Sequence, residues 1–595
     1  MQDSPPNASV NSPYTWDLAS IFPNLASWRA EYEAVRVEAR RLASLEGTLG
    51  RSGERLYNSL RELDYLGERL GKVGVYASLL TRQDSRDDEA NKMSQQVDAL
   101  ISEVSTAISF VEPEILSLGW NKIQDLLDQH QPLSLYRHYL SEIERGRAHV
   151  LSQEQEALLS SLSPLAAIPE TIRDAANDGD LTFEPITVSG KSVAPTHGTI
   201  DELLQNEDRG IREAAYQSYT AGYLAQAKTF GATLASQVTT SLVFNRARKF
   251  ANTFEKALFS DSLTPRVYHA AMRSCREHQP LFHRYFKAKA KILGIQKLAE
   301  HDIFAKLSPR APEIPYDRGV ELVLEALAPL GDEYVSIARR GLTQERWAHV
   351  FPAPGKYSNA FSSGNYGTRP FLLLNYAPTM PEVGTLAHEL GHSMHSFITN
   401  RSQPRRYSFY AMTVAETASN LNQVLLRAHV LKSADRDMAL AVLDEAFYFA
   451  HRYLFMMPTL SRVEHIIHST YARGGAMGAS DVCRATLTAF KSAYGDSVSY
   501  EPERVGIKWA KFCHFYAPYY FFQYAVGISA AMSIGRRLLD GEKGLQERYL
   551  SFLAAGDSMP PVEIFKIVGI DITSRDVYRD AFKVVEGYVE HLERL

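Results

Sequence analysis

Cysteine is scarce in this 595-residue chain, where only Cys275, Cys483 and Cys513 occur. An odd number of widely separated thiols makes neither a disulfide framework nor a zinc knuckle, so they read as free thiols of a reducing compartment. No run of eighteen apolar residues occurs, which argues against a membrane-spanning helix. Large basic blocks are missing, and the net charge is −5, which argues against nucleic acid as the main partner. The opening MQDSPPNASVNSP has neither a basic stretch nor an apolar core, so no secretory signal is expected and the cytoplasm is the default location. Internal repeats and low-complexity segments are absent as well. What is left is an ordinary globular composition, 45% hydrophobic and 22% charged. The length calls for two to four subdomains.

Helical periodicity dominates. Tyr32, Val35, Ala39 and Leu42 form one apolar stripe, and Leu56, Leu60, Leu63 and Leu70 form another. Residues 88–111 continue the habit. A second helical block is expected from Glu112 to Ala176, broken at Pro132 and Pro164. The stretch LTFEPITVSGKSVAPTHGTI then alternates β-branched residues around Gly190, which predicts a small β excursion. From Asp208 a single long helix is expected toward Phe250, because no proline interrupts it. A second β region is predicted in PGKYSNAFSSGNYGTRPFLLLNY, with Phe371 to Leu374 as a strand. Helices are expected from there to Leu595.

The stretch TLAHELGHSMHS, Thr385 to Ser396, carries the chemistry. A shuffled chain of this composition holds roughly 0.03 copies of His-Glu-x-x-His, so the match is uncommon by chance. On a helix, His388 and His392 lie one turn apart and can reach one ion. Glu389 is rotated about 100° from His388 and sits beside the ion, where it can accept a proton from water. His395 lies about 10 Å along the axis from His388, too far to share a tetrahedral zinc comfortably, and reads as a supporting or packing residue. A catalytic zinc needs a third protein ligand. In YAMTVAETASNLNQVLLRA, Ala411, Val414, Ala418, Leu421 and Leu425 recur at helical spacing around Glu416. Spacing alone leaves Glu416 open between a ligand and an ordinary helix-surface glutamate sharing its side with Thr413, Thr417 and Asn420. Ser419 and Asn420, three and four residues on, are candidate partners for its carboxylate.

These stretches, with GKYSNAFSSGNYGTRPFLLLNY before them and YTWDLASIFPNLASW near the start, resemble the oligoendopeptidase F branch of the thimet-type zinc metallopeptidases. The resemblance covers nearly the whole chain. It implies one Zn2+ per chain bound by His388, His392 and Glu416, with Glu389 as general base. It also implies a mainly α, multi-lobed helical zinc-peptidase architecture with a small β-sheet beside the zinc helix, enclosing a deep substrate cleft. An edge strand near Gly364 could pair with the backbone of an extended peptide.

The segment CHFYAPYYFFQYAVG, Cys513 to Gly527, is dense in aromatic residues. Phe515, Phe521 and Phe522 read as core, but buried tyrosines need partners for their hydroxyls. The segment is similar to a family element whose histidine and tyrosines line the cleft. This implies catalytic roles for His514 and Tyr520 in stabilising an oxyanion, and substrate contacts for Tyr516 and Tyr524. The chain departs from the family pattern at Phe522, where a tyrosine is expected, at Gln423, where a glutamate is expected, and in IIHSTYARGG, which lacks expected acidic residues. None of these removes a zinc ligand.

The resulting expectation is a cytoplasmic zinc endopeptidase that cuts internal bonds of short oligopeptides, with no nucleic-acid or membrane partner. Oligomeric state is not legible. A dipeptidyl carboxypeptidase and a non-enzymatic peptide-binding protein are the alternatives. The chain is expected to divide into a flexible N-terminus (1–13), an N-terminal helical lobe (14–111), a second helical region with the β excursion (112–204) and a catalytic segment (205–595).

Overall fold

The computed structural model describes residues 12–308 and 310–595, so the expected flexible segment 1–13 lies almost wholly outside the described residues. The fold is mainly α, with one three-stranded and two two-stranded sheets among the described residues. Contacts group the chain into two units, each assembled from three stretches. One comprises Met1–Ala148, Glu313–Leu426 and Arg537–Gly569; the other comprises His149–Pro312, Arg427–Arg536 and Ile570–Leu595. This grouping cuts across the contiguous segment 205–595.

The first unit begins with long helices at Leu25–Leu42, Gly53–Gln83 and Asp88–Ala107. Each starts on a polar cap: Asn24 accepts the Ser27 N–H, Ser52 that of Arg55, and Asp87 those of Glu89 and Ala90. The apolar stripes read from the sequence face one core. Val35, Ala39, Leu42, Leu56 and Leu60 are fully buried in it, with Tyr32 and Leu70 at its margin. The Trp28 indole N–H donates to the Val73 carbonyl at 3.0 Å, which satisfies the polar edge of the buried ring.

Further along this unit lies the three-stranded sheet. Pro370–Leu373 is its central strand, buried at every residue. It runs parallel to Ala348–His349 and antiparallel to Phe361–Gly364, with Gly364 opposite Pro370. Phe361–Gly364 is thus an edge strand, and the sheet packs on the helix Met380–Ser402. A Cβ at Gly364 would stand 2.4 Å from Ser396 Cβ, so only glycine fits where this strand meets the helix.

In the second unit the β excursion is a hairpin of Ile186–Val188 and Lys191–Val193. Ser189 and Gly190 both have positive φ (49° and 78°), as a two-residue hairpin loop requires. Three expectations are corrected. Pro164 does not break its helix, which runs unbroken over Gln153–Ala175 with Pro164 and Pro169 inside. Pro164 cannot bond the Ser160 carbonyl four residues back, and the Ser163 hydroxyl donates to that carbonyl instead, at 2.8 Å. The long helix after Asp208 is two helices, Arg209–Ala225 and Ala227–Ala247, interrupted at Gln226. Their buried faces differ: Tyr219 and Tyr223 pack by Phe183 and His197, whereas the second helix packs on Gln153–Ala175. Packing, not a breaker residue, places the interruption. Finally, the short strands Leu298–Ala299 and Val498–Ser499 pair in parallel across 200 residues of chain, which no local pattern announces.

Glu464 is wholly buried in this unit, where its Oε1 accepts the Tyr519 N–H at 2.6 Å. Burial pushes its carboxyl up to about 8, against the lowering effect of the hydrogen bonds from Tyr519 and Ser461. Between the ordinary value of 4.5 and about 8, the folded chain keeps a proton that the unfolded chain has lost. Stability therefore falls as pH rises through that window, by up to about 1.4 kcal/mol per pH unit. Glu464→Gln keeps the acceptor and the shape but removes the titration. Its Tm relative to the parent is expected to be higher at pH 8 than at pH 5. Parallel Tm-versus-pH curves for the two proteins would refute this.

Candidate metal centre

The motif stretch is helical, within Met380–Ser402, and the second motif lies in the helix Met412–Leu431. His388 and His392 face the same way, their rings 4.9 Å apart and nearly perpendicular. Glu416 joins them: one ligand atom from each of His388, His392 and Glu416 lies within 4.8 Å of the others. His388 Nε2 stands 3.7 Å from Glu416 Oε2. Tetrahedral ligands about 2.1 Å from an ion sit roughly 3.4 Å from one another, so side-chain adjustment alone closes this set on a metal. Two imidazoles and a carboxylate, all only partly buried, are the donor chemistry of a catalytic zinc with an open position. The residues fit the metal.

The set is held by a polar lining. The His388 Nδ1–H donates to Gln423 Oε1 at 3.0 Å, which leaves Nε2 with its lone pair toward Glu416. Ser419 Oγ and Asn420 Nδ2 both donate to Glu416 Oε2 at 3.3 Å, the two partners anticipated from spacing. The helix-surface alternative for Glu416 does not describe this helix: Thr413, Thr417, Ser419, Asn420, Asn422 and Gln423 are all buried. Burial also pushes the His392 imidazole well below its ordinary value, reinforced by His388 and His395, so it is neutral and available as a ligand.

Glu389 is buried beside the set. Burial pushes its carboxyl up to about 7; the Glu416 charge adds to this, while His388 and a backbone hydrogen bond from Ser362 oppose it. The edge strand is tied to the same helix turn, since Ser362 Oγ and Ser393 Oγ share a hydrogen bond of 2.8 Å. His395 is not part of the set. It is fully buried and stacks on Tyr410 at 3.7 Å, with both ring nitrogens unpartnered among the described residues, as a packing residue would be.

The aromatic segment lies in the second unit. His514 Nε2 is 3.4 Å from the Tyr524 hydroxyl, and the His514 and Tyr520 rings are 5.6 Å apart. Burial pushes the His514 imidazole down to about 4, with Arg452 and Arg173 adding to the effect, so it is neutral at ordinary pH. Tyr516 is buried, and its hydroxyl shares a 2.6 Å hydrogen bond with Thr233 inside the core. Phe515, Phe521 and Phe522 are buried, as read from the sequence.

The family model described as Peptidase family M3 matches residues 202–584, across both motifs and the aromatic segment. The chain belongs to peptidase family M3. A second model, described as Oligopeptidase F, matches residues 114–183. Oligopeptidase PepF of Bacillus subtilis is 32% identical over 594 residues, 99% of this chain and 88% of the relative. A chain solved from Chlamydophila abortus superimposes with a TM-score of 0.89 at 27% identity, covering 98% of each. Oligoendopeptidase-F of Enterococcus faecium superimposes at 0.74 with 27% identity, covering 96% of this chain and 98% of its own. The M3 chain is thus a peptidase, of a family that uses a metal, and its His388–His392–Glu416 group has the makings of the metal site.

One feature of this M3 site escaped the sequence reading. Gly391, inside the motif helix, faces the helix Met412–Leu431, where a Cβ would lie 2.6 Å from Ser419 Cα and 2.7 Å from the Ala418 carbonyl oxygen. A helix-interior glycine, which costs about 1 kcal/mol relative to alanine, was the available signal. Gly391→Ala gains that propensity but overpacks two backbones, a penalty of about 1–3 kcal/mol. The variant is expected to melt at lower temperature and to bind zinc more weakly in a chelator competition, because the helices bearing the ligands are forced apart. An unchanged Tm together with unchanged zinc affinity would show that the crossing tolerates a methyl group.

Proposed function

We propose that the chain is a zinc-dependent endopeptidase of short oligopeptides. The observation that carries this reading is the convergence of His388, His392 and Glu416, with the Glu389 carboxylate beside them. His388, His392 and Glu416 would hold the ion, with Gln423, Ser419 and Asn420 fixing two of the three. When bound, zinc supplies Lewis-acid polarisation and lowers the pKa of water toward about 7. Glu389 takes the proton of the attacking water and passes it to the leaving amine, as a general base that becomes a general acid. The edge strand Phe361–Gly364 gives an extended peptide a backbone to pair with, so that binding depends little on side chains. His514 and Tyr520 as donors to the oxyanion, and Tyr524 as a substrate contact, rest on the resemblance of the aromatic segment; Tyr516 is left to core packing. Among the described residues no helix is long and apolar enough to cross a membrane. The reading places the activity in cytoplasmic turnover of unstructured peptides. A folded protein would first pay its unfolding free energy of about 5–15 kcal/mol to lie extended on the strand.

The endopeptidase reading is tested with a peptide blocked at both ends: internal cleavage supports it, and no cleavage of that peptide alongside removal of dipeptides from a free C-terminus points to the exopeptidase alternative. Zinc bound without turnover of either peptide points to a binding protein.

Three variants test the residue roles. Glu389→Gln is expected to keep zinc and lose turnover by roughly 10²–10⁴-fold. Loss of zinc in that variant would make Glu389 a ligand instead. Glu416→Ala is expected to lower zinc affinity sharply, whereas His395→Ala still binds the ion. The reverse pattern in metal analysis at low free zinc would exchange their assignments.

A further inference from the structure

The helix Gln153–Ala175 of the second unit carries an apolar stripe that faces outward. Leu158, Leu162, Leu165, Ile168 and Ile172 are 37–60% exposed, although such residues ordinarily form the core face of a helix. At 100° per residue the five fall within an arc of about 120° and extend over roughly 21 Å of helix. The helix is anchored on Ala227–Ala247, and the stripe is left outside that contact. Lone exposed leucines are ordinary, but five in line present roughly 400 Å² of apolar surface, the size at which a patch marks an interaction site.

The intervals between the five are four, three, three and four residues, the same read in either direction. Two such helices laid antiparallel, with Leu165 on a two-fold axis, set Leu158 against the partner's Ile172 and Leu162 against the partner's Ile168. An isologous contact requires this self-complementarity. Charge agrees with the direction. Residues 157–169 include no charged side chain. Glu170 falls opposite the partner's Ser160, whereas parallel pairing would set Glu170 against its own copy. Glu156 and Asp174 meet at the ends of the antiparallel pair, and each is already neutralised, by Arg248 at 2.8 Å and by Arg173 at 2.6 Å. A stable two-fold interface buries about 800 Å² per partner, a little over half of it apolar, which is the share the stripe supplies.

We propose that this stripe docks a second copy of the chain, antiparallel about Leu165, so that the protein is a homodimer through the helix Gln153–Ala175. The contact is independent of the peptidase chemistry. Sedimentation of the full chain from about 1 to 100 µM is expected to reach twice the chain mass at the upper end, a modest affinity for an interface of this size. Leu165→Asp sets two carboxylates on the axis and is expected to weaken the dimer about a hundredfold or more, with the Tm kept because the side chain is exposed. Leu162→Lys and Ile168→Glu are each expected to weaken the dimer alone, and the two mixed are expected to restore it as a heterodimer, since the pairing brings Lys and Glu together.

Cross-linking reads the direction. In a Cys513→Ser background, which removes the exposed native thiol, a short bismaleimide is expected to join Leu165→Cys to itself. It is also expected to join Leu158→Cys to Ile172→Cys in a mixture, and not to join Leu158→Cys to itself. Self-joining of Leu158→Cys would overturn the antiparallel arrangement, and a dimer that survives Leu165→Asp would overturn the surface. A monomer at every concentration would overturn the dimer altogether. In that monomer, slow maleimide labelling of Leu165→Cys would place the cover of the stripe within the chain itself, and fast labelling would leave the stripe open to a different molecule.

Discussion

The close crossing of two helices at Gly391 is the constraint on which the metal centre depends. The backbone of Met412–Leu431 runs against the glycine's open face, so a carboxylate on one helix meets two imidazoles on the other. Side chains of this length reach a shared ion only if the axes are near, and any Cβ at the crossing would hold them apart. The Asn422 amide spans the same interface and donates to the Ala387 carbonyl at 3.1 Å, one residue before His388. Position along the axis and separation across it are thus fixed by neighbouring residues.

That closeness has a cost in polar burial. The helix Met412–Leu431 hides hydroxyls and amides that an ordinary core would replace with leucine, and each needs a partner or costs on the order of 1–3 kcal/mol. Most have one: Thr417 donates to the Thr413 carbonyl, Ser419 and Asn420 to Glu416, Asn422 to Ala387, and Gln423 accepts from His388. The polarity that weakens this helix as core is what orients the ligands. The neutral amide of Gln423 fixes the tautomer of His388 without adding a negative charge beside Glu416 and Glu389.

The second unit handles charge differently. Its buried acids sit among matching donors, as where Asp302 accepts from Arg209, Arg212 and the Ala299 N–H. Arg427 and Glu445 pair while almost wholly excluded from water. The aromatic segment is fixed by its own interior contacts: the Tyr519 N–H to Glu464, and the Tyr516 hydroxyl to Thr233.

The sequence by itself determined the helical face shared by His388 and His392, Ser419 and Asn420 as candidate partners of the Glu416 carboxylate, the N-terminal apolar stripes and the two glycine-marked β regions. All of these follow from spacing within a single element, because side-chain direction along a helix or strand repeats with a fixed period. The family resemblance added Glu416, which spacing had left open. Only the tertiary structure decided that Glu416 meets the histidines, that Gly391 permits the approach, that His395 packs on Tyr410, that Pro164 sits inside a continuous helix and that Leu298–Ala299 pairs with Val498–Ser499. Each of these depends on which distant backbone lies alongside, and the free energy that selects it comes from burial and hydrogen bonding between elements, which no local period records.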